Sequence, residues 1–444
     1  MKHTITVSFA KEADRKKEVA GLSLHFEGGN REIPIDVNGS SLLKISRRVP
    51  NLSQDLLTIA SCVYAADEAI LRSVEEDRWS RDISIEIPVR NLANWSSVAE
   101  ELSDCLSFLT GDQWKLSFRQ AEKALIQRRP SKRPMRILLA DGAAVCLFSG
   151  GLDSLIGATD WLAKNPTDRL LAVGHYDRGV AGPGKDQKDL AVLCGQEFGS
   201  RFRLVQTQVG LIRDRGETSF RSRSFLFLAL AAYSAEVLGP GTPILIPENG
   251  PIALNFPLTP SRRGACSTRT VHPYFIGQVN AILAKVGITN RISNPYEFAT
   301  KGEMVSGCLN QRFLEKTYLI SRSCAKSNRR MWWTDRSARG CGTCVPCLFR
   351  RASFHASGLD TEPYGNRVED LRSLDGMPDD VLALASFIRR NDSDMEIASG
   401  LVANGSLPTG TVMSYVDVVK RMRSEVQVWL RARGSRYLQN LVAP

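Results

Sequence analysis

The sequence lacks a run of about 20 consecutive apolar residues, the length that a helix needs to cross a bilayer. Its opening stretch, MKHTITVSFAKEADRKK, alternates and then becomes charged, which is not the pattern of a secretory signal peptide. The ten cysteines are unevenly spaced, so the regular framework of a disulfide-rich secreted domain is missing as well. We therefore predict a cytoplasmic protein with reduced thiols and no membrane partner.

Acidic residues are fewer than basic ones. The chain has 47 Asp and Glu against 58 Lys and Arg, which gives a formal net charge of +11. Such a balance suits anionic partners, namely ATP, a carboxylate, nucleic acid or an acidic protein, without choosing among them. The 43% of hydrophobic and 24% of charged residues are typical of globular proteins, and 444 residues suffice for two or three domains.

The first part of the chain, 1–133, is predicted to be an α+β domain. Residue patterns predict a helix over 53–72 and strands over 4–7, 33–37, 83–89 and 114–118. Cys62 and Cys105 fall within apolar patterns and are predicted to be buried thiols. The stretch RRPSKRPMR at 128–136 is either a solvated linker or a phosphate contact.

The central part, 134–358, alternates strand and helix patterns. Predicted helices cover 185–198 and 220–238, and predicted strands cover 170–173, 202–205 and 242–246. This alternation indicates an α/β fold with a parallel sheet, and ligands bind such sheets over the carboxyl ends of the strands. Two polar turns, His175-Tyr176 and Glu248-Asn249, follow strands and are expected to converge at that edge.

The last part, 359–444, is predicted to be a helical extension. Two apolar stripes at helical spacing support this, namely Val381, Leu384, Ala385 and Ile388, then Val416, Val419, Val426 and Trp429. Basic residues accompany the second stripe: Lys420, Arg421, Arg423, Arg431 and Arg433. A basic helix of this kind either binds nucleic acid or an acidic partner, or is solvated on one face.

The clearest chemical signal is a hexad between a short apolar run and a helical pattern, Ser149-Gly150-Gly151-Leu152-Asp153-Ser154. The glycine pair permits positive φ and turns backbone N–H groups inward, and the next helix adds unpaired donors at its N-terminus. With the two serine hydroxyls, the loop can cradle an anion such as pyrophosphate. It is not a Walker motif, because the GxxxxGK[ST] spacing and its lysine are absent.

The hexad resembles the PP-loop of the ATP pyrophosphatase superfamily. That resemblance implies activation of a carboxyl, carbonyl or amide oxygen by adenylation, with release of pyrophosphate. The alternative is an ordinary Gly-Gly turn with a Ser/Asp helix cap.

Four cysteines form a second signal. Cys341, Cys344 and Cys347 have CxxCxxC spacing, and Cys324 precedes them in the stretch SRSC. Four thiolates fit a tetrahedral, structural Zn²⁺, and iron–sulfur ligation is the alternative. A catalytic metal is not expected, because four protein ligands leave no open position.

A PP-loop followed by SxSC…CGxCxxC and then Leu348-Phe349-Arg350 resembles the QueC-like family, the 7-cyano-7-deazaguanine synthases. Two further stretches within roughly 140–355 agree: RSRSFL at 221–226 resembles the family's GRN-[LF]-L helix start, and TKGEM at 300–304 resembles its TK-x-E segment. The resemblance implies ATP and Mg²⁺ as cofactors besides Zn²⁺. It implies a nucleotide site formed by the hexad with His175, Tyr176 and Lys301.

The implied chemistry is attack of a carboxylate on the α-phosphate of ATP, giving an acyl-adenylate, followed by displacement of AMP by an amine. The expected catalytic residues are Asp153, Ser154, Lys301 and Arg223. Arg223, Arg262 and Arg263 are candidates to hold the substrate carboxylate, since a guanidinium grips it bidentately. Cys266 is either a nucleophile or an ordinary thiol.

The chain also departs from the family, whose members form a single compact domain with a YPDC segment that is not evident here. The architecture is most similar to the QueC-like proteins of bacterial anti-phage systems, the QatC branch of the four-gene Qat system. This implies a deazaguanine-like carboxylate and an amine acceptor on a co-encoded, QatB-like defence protein. The alternatives are a synthase that uses ammonia, a PP-loop enzyme that modifies RNA, and a non-catalytic scaffold.

Overall fold

The computed structural model describes residues 2–9, 19, 21–28, 31–45, 50–126, 142–178, 182–211, 216–258, 269–390 and 392–443. The basic stretch at 128–136 lies outside the described residues, and so do three candidate site residues, Arg262, Arg263 and Cys266.

Ten strands of the described residues join into one sheet. They are β1 (Lys2–Phe9), β2 (Leu22–Phe26), β3 (Glu32–Asn38), β4 (Asp82–Val89), β5 (Gln113–Gln120), β6 (Ala143–Leu147), β7 (Arg169–Tyr176), β8 (Phe202–Leu211), β9 (Ile244–Leu245) and β10 (Ile292–Ser293). Their order across the sheet is β10-β9-β6-β7-β8-β3-β2-β1-β4-β5. Six of the nine neighbouring pairs are parallel, and the pairs from β8 through β3 and β2 to β1 are antiparallel. The predicted α/β class with a mostly parallel sheet is confirmed.

Sixteen α-helices connect and cover these strands within the described residues. They are α1 (Ser40–Leu43), α2 (Leu52–Ala69), α3 (Leu92–Ser96), α4 (Ala99–Thr110), α5 (Leu152–Lys164), α6 (Pro183–Phe198), α7 (Arg223–Leu238), α8 (Gly250–Ala253), α9 (Pro273–Val286), α10 (Lys301–Ser306), α11 (Gln311–Thr317), α12 (Val345–Ala356), α13 (Asp379–Arg389), α14 (Asp394–Asn404), α15 (Val412–Arg433) and α16 (Arg436–Leu441).

The parallel part of the sheet is covered by helices on both faces. Side chains of successive strand residues point to opposite faces. Val145 of β6 and Val173 of β7 belong to the core that includes α2 and α7. Cys146 and Ala172 belong instead to the core formed with α5 and α6. Since both faces are buried, β6 and β7 read as continuous apolar runs rather than as alternating ones.

The strand order reverses beside β6, and this reversal places the candidate site. From β6 the chain moves outward through β7 and β8, then returns across the sheet to β9 and β10 on the other side of β6. In open α/β sheets the crevice at such a reversal, outside the carboxyl ends of the strands, is the usual ligand site. The hexad follows β6 directly, and Glu248-Asn249 follow β9.

The predicted N-terminal and central parts share the sheet. Strand β3 pairs antiparallel with β8, with Ile35 opposite Leu211 and Asn38 opposite Gln208. The strands predicted at 4–7, 33–37, 83–89 and 114–118 lie within β1, β3, β4 and β5, and the helix predicted over 53–72 is α2. Residue patterns missed β2, which pairs β1 with β3. The two predicted domain boundaries stay a prediction, and the sheet itself runs across the first of them.

The C-terminal part is helical, as predicted, and packs in a core that it shares with α12 and with residues around α8. Both predicted stripes are buried there, on α13 and on α15. The basic residues of α15 are largely engaged within the chain: Lys420 with Asp394 at 2.8 Å, Arg421 with Glu303 at 2.6 Å and Arg423 with Asp392 at 3.0 Å. These contacts favour a structural role for that face. No helix among the described residues is long and apolar enough to cross a membrane.

Candidate active site and metal centre

The hexad forms a tight loop between β6 and α5. Gly150 has a φ of +85°, and a Cβ there would lie 3.2 Å from the backbone nitrogen of Gln187. A side chain at this position would therefore meet both backbone strain and the start of α6. Gly151 precedes α5, so the first N–H groups of that helix point out of the loop. The backbone thus has the form expected of an anion cradle.

The two serines of the hexad are joined through their hydroxyls. The Oγ atoms of Ser149 and Ser154 lie 3.3 Å apart, and the Ser154 hydroxyl donates to the Gly151 carbonyl at 2.9 Å. The Gly151 N–H donates to Ser149 Oγ at 3.2 Å. Ser149 is exposed and Ser154 is buried, whereas the Leu152 side chain is buried in the core and offers the loop only its backbone.

Asp153 is the centre of a buried polar cluster. Its Oδ2 accepts from the backbone N–H of Asn249 at 3.1 Å and from Asn249 Nδ2 at 2.7 Å. Its Oδ1 contacts the ammonium of Lys301, and both side chains are nine-tenths or more buried. Glu248 completes the cluster through a hydrogen bond to Asp153. The turn after β9 and the start of α10 therefore meet the hexad at its aspartate.

Asp153 and Glu248 are held in opposite protonation states. Burial acts to raise the pKa of Asp153, but Lys301 and the hydrogen bonds from Glu248 and Asn249 outweigh it and hold that pKa well below its usual range. Burial, followed by the charge of Asp153, raises the pKa of Glu248 well above its usual range. Glu248 therefore keeps its proton and donates to Asp153. The sequence named Glu248 only as part of a turn; the signal for its role is its position in the turn that follows β9.

Lys301 is placed by the cap of α10, to which the C-terminal part contributes. Thr300 accepts from the Glu303 N–H at 3.1 Å in a capping box. Glu425 of α15 contacts the Thr300 hydroxyl and accepts from the Gly302 N–H at 3.4 Å. Burial raises the pKa of Glu425. Glu425 of the C-terminal part thus contacts the two residues that flank Lys301, a link that the sequence did not indicate.

His175 lies beside the loop, but its ring faces away from it. The imidazole is fully buried, its Nε2 donates to the Val209 carbonyl at 2.9 Å, and Tyr64 packs against it edge-on. Burial, then Arg223, lowers the pKa of His175 to about 3, so the ring is neutral. Its carbonyl oxygen accepts from Gln187, whose amide also reaches the Ser149 carbonyl at 3.4 Å. The backbone of His175, rather than its ring, is what the loop region contacts.

Arg223 and Tyr176 lie at the same edge. The Arg223 Nε donates to His175 Nδ1 and its NH2 donates to the His175 carbonyl, both at 3.3 Å. The guanidinium is partly exposed and stands over the ring of Phe227. Tyr176 is also partly exposed and packs against α6 at Gly184. The structure thus brings His175, Tyr176 and Arg223 together beside the hexad.

The four predicted cysteine ligands converge. The Sγ atoms of Cys324, Cys341, Cys344 and Cys347 all lie within 4.8 Å of one another. The Sγ atoms of Cys341 and Cys347 are 3.9 Å apart, far beyond the roughly 2.05 Å of a disulfide. Sulfur atoms about 2.3 Å from a tetrahedral ion would have this separation. The cluster could therefore hold a metal ion such as zinc.

Backbone geometry supports the sulfur cluster. The N–H groups of Cys341 and Cys344 donate to Sγ of Cys324 and Cys341, at 3.3 and 3.2 Å. Such donors stabilise thiolate charge, as expected of metal-binding sulfurs. Gly342 takes a φ of +80° to turn the chain, and a Cβ there would lie 2.2 Å from the Asn366 carbonyl oxygen. A multi-iron cluster would hold the four sulfurs farther apart, so the spacing favours a single ion.

The cysteine cluster is tied to the hexad by one residue. The backbone N–H of Arg322, two residues before Cys324, donates to the Gly150 carbonyl at 3.0 Å. The side chains of Arg322 and Arg339 both contact Asp186 of α6, at 3.3 and 2.8 Å. The segments flanking the sulfur ligands therefore brace the loop from one side. No pattern in the sequence indicated this link, because it joins residues far apart in the chain.

Buried Arg350 contacts the segment that precedes Cys324 from α12. It donates to the Ser321 hydroxyl at 2.9 Å and to the Tyr318 carbonyl at 2.7 Å, and it pairs with Glu362 at 2.7 Å. The arginine of the Leu348-Phe349-Arg350 stretch thus anchors α12 to the segment before Cys324.

The thiols outside this cluster that the structure describes are buried. Burial raises the pKa of Cys194 and of Cys308 to about 12, and the pKa of Cys146 rises as well. Cys62 and Cys105 are buried, as predicted. None of these described thiols has the exposure or the low pKa of a reactive cysteine.

Neither a comparison with models of protein families nor one with curated protein sequences finds a match for this chain.

Proposed function

We propose that the chain is a QueC-like, ATP-dependent enzyme that adenylates a carboxylate, releases pyrophosphate and transfers the acyl group to an amine. The observation that carries the proposal is the position of the hexad at the reversal of the parallel sheet, with Asp153 bound to Lys301 and to the turn after β9. An anion cradle, a cation and a polar cluster meet there at the edge where α/β sheets bind ligands.

In the proposed complex the phosphates of ATP lie over the hexad. The backbone N–H groups of Gly150 and Gly151, the hydroxyls of Ser149 and Ser154 and the N-terminus of α5 are the donors, and Lys301 is the cation. Such fixed donors stabilise charge that builds up on the phosphates in the transition state.

Both carboxylate oxygens of Asp153 are already engaged, by Lys301, Asn249 and Glu248. They do not form an open ligand set for Mg²⁺. The ion that neutralises the triphosphate is therefore assigned to the phosphates themselves, and Asp153 is assigned the positioning of Lys301.

Arg223 is the proposed clamp for the substrate carboxylate. Its guanidinium is partly exposed and is oriented by two hydrogen bonds to His175. Holding the carboxylate beside the α-phosphate supplies proximity, a large contribution in a site that forms no covalent bond between enzyme and substrate. A deazaguanine-like carboxylate is proposed from the family resemblance alone.

The amine acceptor is proposed to belong to a co-encoded, QatB-like protein of an anti-phage defence system, with ammonia as the alternative. Sulfur transfer to RNA is less well supported, because the thiols described outside the four-cysteine cluster are buried with raised pKa values.

Mass spectrometry of the products tests the proposal. Purified protein receives ATP, Mg²⁺ and 7-carboxy-7-deazaguanine, with ammonia or the co-encoded protein as acceptor. We expect AMP and pyrophosphate that depend on the carboxylate, and a mass shift on the acceptor. Asp153→Asn should abolish both products. Asp189→Asn, at a half-exposed carboxylate of α6, is the matched control and should retain them.

The outcomes separate the candidate functions. A free nitrile would identify a synthase that uses ammonia, and an adduct on the protein would identify a conjugating enzyme. Absence of AMP with every acceptor would reject the enzymatic proposal.

A further inference from the structure

The segment between Cys324 and Cys341 carries two large apolar side chains in water. Trp332 is 84% exposed and Met331 is 78% exposed. Neither ring nor thioether has an aromatic or cationic partner among the described residues. An exposed tryptophan of this kind is unusual on a folded protein, where large apolar surface in water commonly marks a binding site.

A cleft of about 400 Å³ opens beside Trp332. Its lining includes Trp332, Trp333, Lys326, Arg329 and Asn366, together with Cys341 of the sulfur cluster. The volume lies within the range of pockets that take a small ligand or a single base. The Asn366 Oδ1 accepts from Thr334, so its amide N–H₂ group remains directed to other acceptors.

The segment is strongly basic. Residues 322–340 contain six cations (Arg322, Lys326, Arg329, Arg330, Arg336 and Arg339) and one acid, Asp335. Arg329 and Arg336 are exposed and have no acidic partner among the described residues. Lys326, which also lines the cleft, pairs with Asp380 at 2.8 Å. The surface thus combines an exposed indole with uncompensated positive charge.

We propose that this cleft binds an unpaired nucleic-acid strand. One base stacks on Trp332, the phosphates on either side of it lie against Arg329 and Lys326, and the Asn366 amide donates to an acceptor on the base edge. Stacking on aromatic side chains with cations along the backbone is the usual mode of single-strand binding. The bases of a duplex are already stacked on one another, and a duplex does not fit in the cleft.

An acidic peptide fits the observations less well. Its carboxylates would pair with Arg329 and Arg336, but they would not account for the exposed indole of Trp332 or for the amide of Asn366. The proposal goes beyond the adenylation chemistry and does not depend on it, since none of these residues belongs to the hexad or its partners.

Fluorescence anisotropy with a labelled 12-nucleotide single strand, as RNA and as DNA, tests the proposal on full-length protein of known zinc content. Trp332→Ala should raise Kd about tenfold, the effect of losing one stacked base. Arg329→Gln should reduce the slope of log K against log salt concentration by about 0.7, the value for one phosphate of a single strand. RNA and DNA should bind alike, because these contacts do not read the 2′ position.

Two substitutions serve as controls. Met331→Ala removes a neighbouring exposed apolar side chain that does not line the cleft, and Arg431→Ala removes an exposed cation of α15. Both should bind as the unmodified chain does. The proposal is overturned if the single strand does not bind, if Trp332→Ala and Met331→Ala weaken binding equally, if a duplex of the same length binds as tightly, or if polyglutamate displaces the strand as well as unlabelled oligonucleotide does.

Discussion

Two buried clusters of charge differ in how their charges are balanced. The cluster between α2 and β4 places two carboxylates, Asp67 and Asp112, against two guanidiniums, Arg72 and Arg81, at 2.5–3.1 Å. A third carboxylate, Glu217, lies at the partly exposed edge of this cluster, 3.7 Å from the guanidinium of Arg72. The cluster at the hexad has two carboxyl groups, Asp153 and Glu248, for a single cation.

The difference in charge shows in the protonation states. Burial acts to raise the pKa of Asp67, but Arg81 and Arg72 outweigh it and lower the pKa to about 2, so Asp67 is ionised. At the hexad one carboxyl must keep its proton, and that group is Glu248. A balanced buried cluster is a structural device, whereas a cluster that depends on a bound proton can respond to an incoming charge. The four thiols are a third case: among the described residues, their sulfur atoms accept from backbone N–H groups, the Thr343 hydroxyl and a neighbouring thiol, and from no cation.

The largest effect is expected at the four cysteines, whose thiolate charges a bound metal ion would balance. Purified protein should contain about one zinc ion per chain by elemental analysis, and a chelator should lower its unfolding temperature by well over 10 °C, because metal binding at such sites is coupled to folding. Cys347→Ser should lose the ion. Cys194→Ser, at a buried thiol elsewhere, should keep it. A chain that unfolds at the same temperature with and without the ion would contradict a structural metal site.

The balanced cluster should be next in effect. Arg81→Met leaves Asp67 and Asp112 sharing one guanidinium, and we expect it to lower the free energy of unfolding by about 3–5 kcal/mol. Lys420→Met, which removes the cation of a half-exposed pair, should cost less than about 1 kcal/mol. Chemical denaturation measures both. Equal effects would mean that burial of the ion pair contributes nothing.

Lys301→Met applies the same kind of substitution to the unbalanced cluster. Because it removes the only cation there, we expect formation of AMP to fall at least about 100-fold, comparable to the loss of one preorganised donor in an active site. Lys185→Met, at an exposed lysine of α6, should leave the rate unchanged. A Lys301→Met protein that folds and retains its rate would assign this cluster to stability alone.

The smallest effect concerns the proton on Glu248. A carboxyl whose folded pKa is raised binds more protons in the folded than in the unfolded state above about pH 4.5, so its contribution to stability declines as pH rises toward the folded pKa. Glu248→Gln has no proton to lose. Relative to the unmodified chain, it should therefore gain stability between pH 5 and pH 7, by up to about 1.4 kcal/mol per pH unit.

Urea denaturation at pH 5 and pH 7 measures this gain. Asp153 acts in the opposite sense, since its lowered pKa gives stability that is lost only as pH falls below about 4. Its contribution is therefore constant over the same interval. Parallel pH profiles for the two proteins would show that Glu248 is ionised in the folded chain.

The sequence predicted those elements and motifs whose spacing is contained in a short stretch of the chain. The hexad, the four cysteines, α2, α15 and the longer strands each carry their periodicity or spacing within a few residues. Strand β9 lies within the strand predicted over 242–246. Strand β10 is two residues long, too short for any periodicity, and it forms because β9 offers an edge to pair with. The α/β class could therefore be predicted, but the full strand order could not.

The site was predictable only in part, for the same reason. The hexad and Lys301 follow from their stretches, but Glu248 becomes significant only once β9 lies beside β6. Likewise Arg322 and Glu425 meet the loop and the cap of α10 from positions far away in the chain. Such long-range contacts depend on packing that a single sequence does not reveal.

The pairing of β3 with β8 has a consequence for any shortened form of the chain. Without its first 133 residues, β8 would become the outer strand of the parallel sheet, with a row of N–H and C=O groups open to other chains. Such an exposed edge promotes aggregation. The N-terminal strands therefore protect the outer edge of the part of the sheet that carries the hexad.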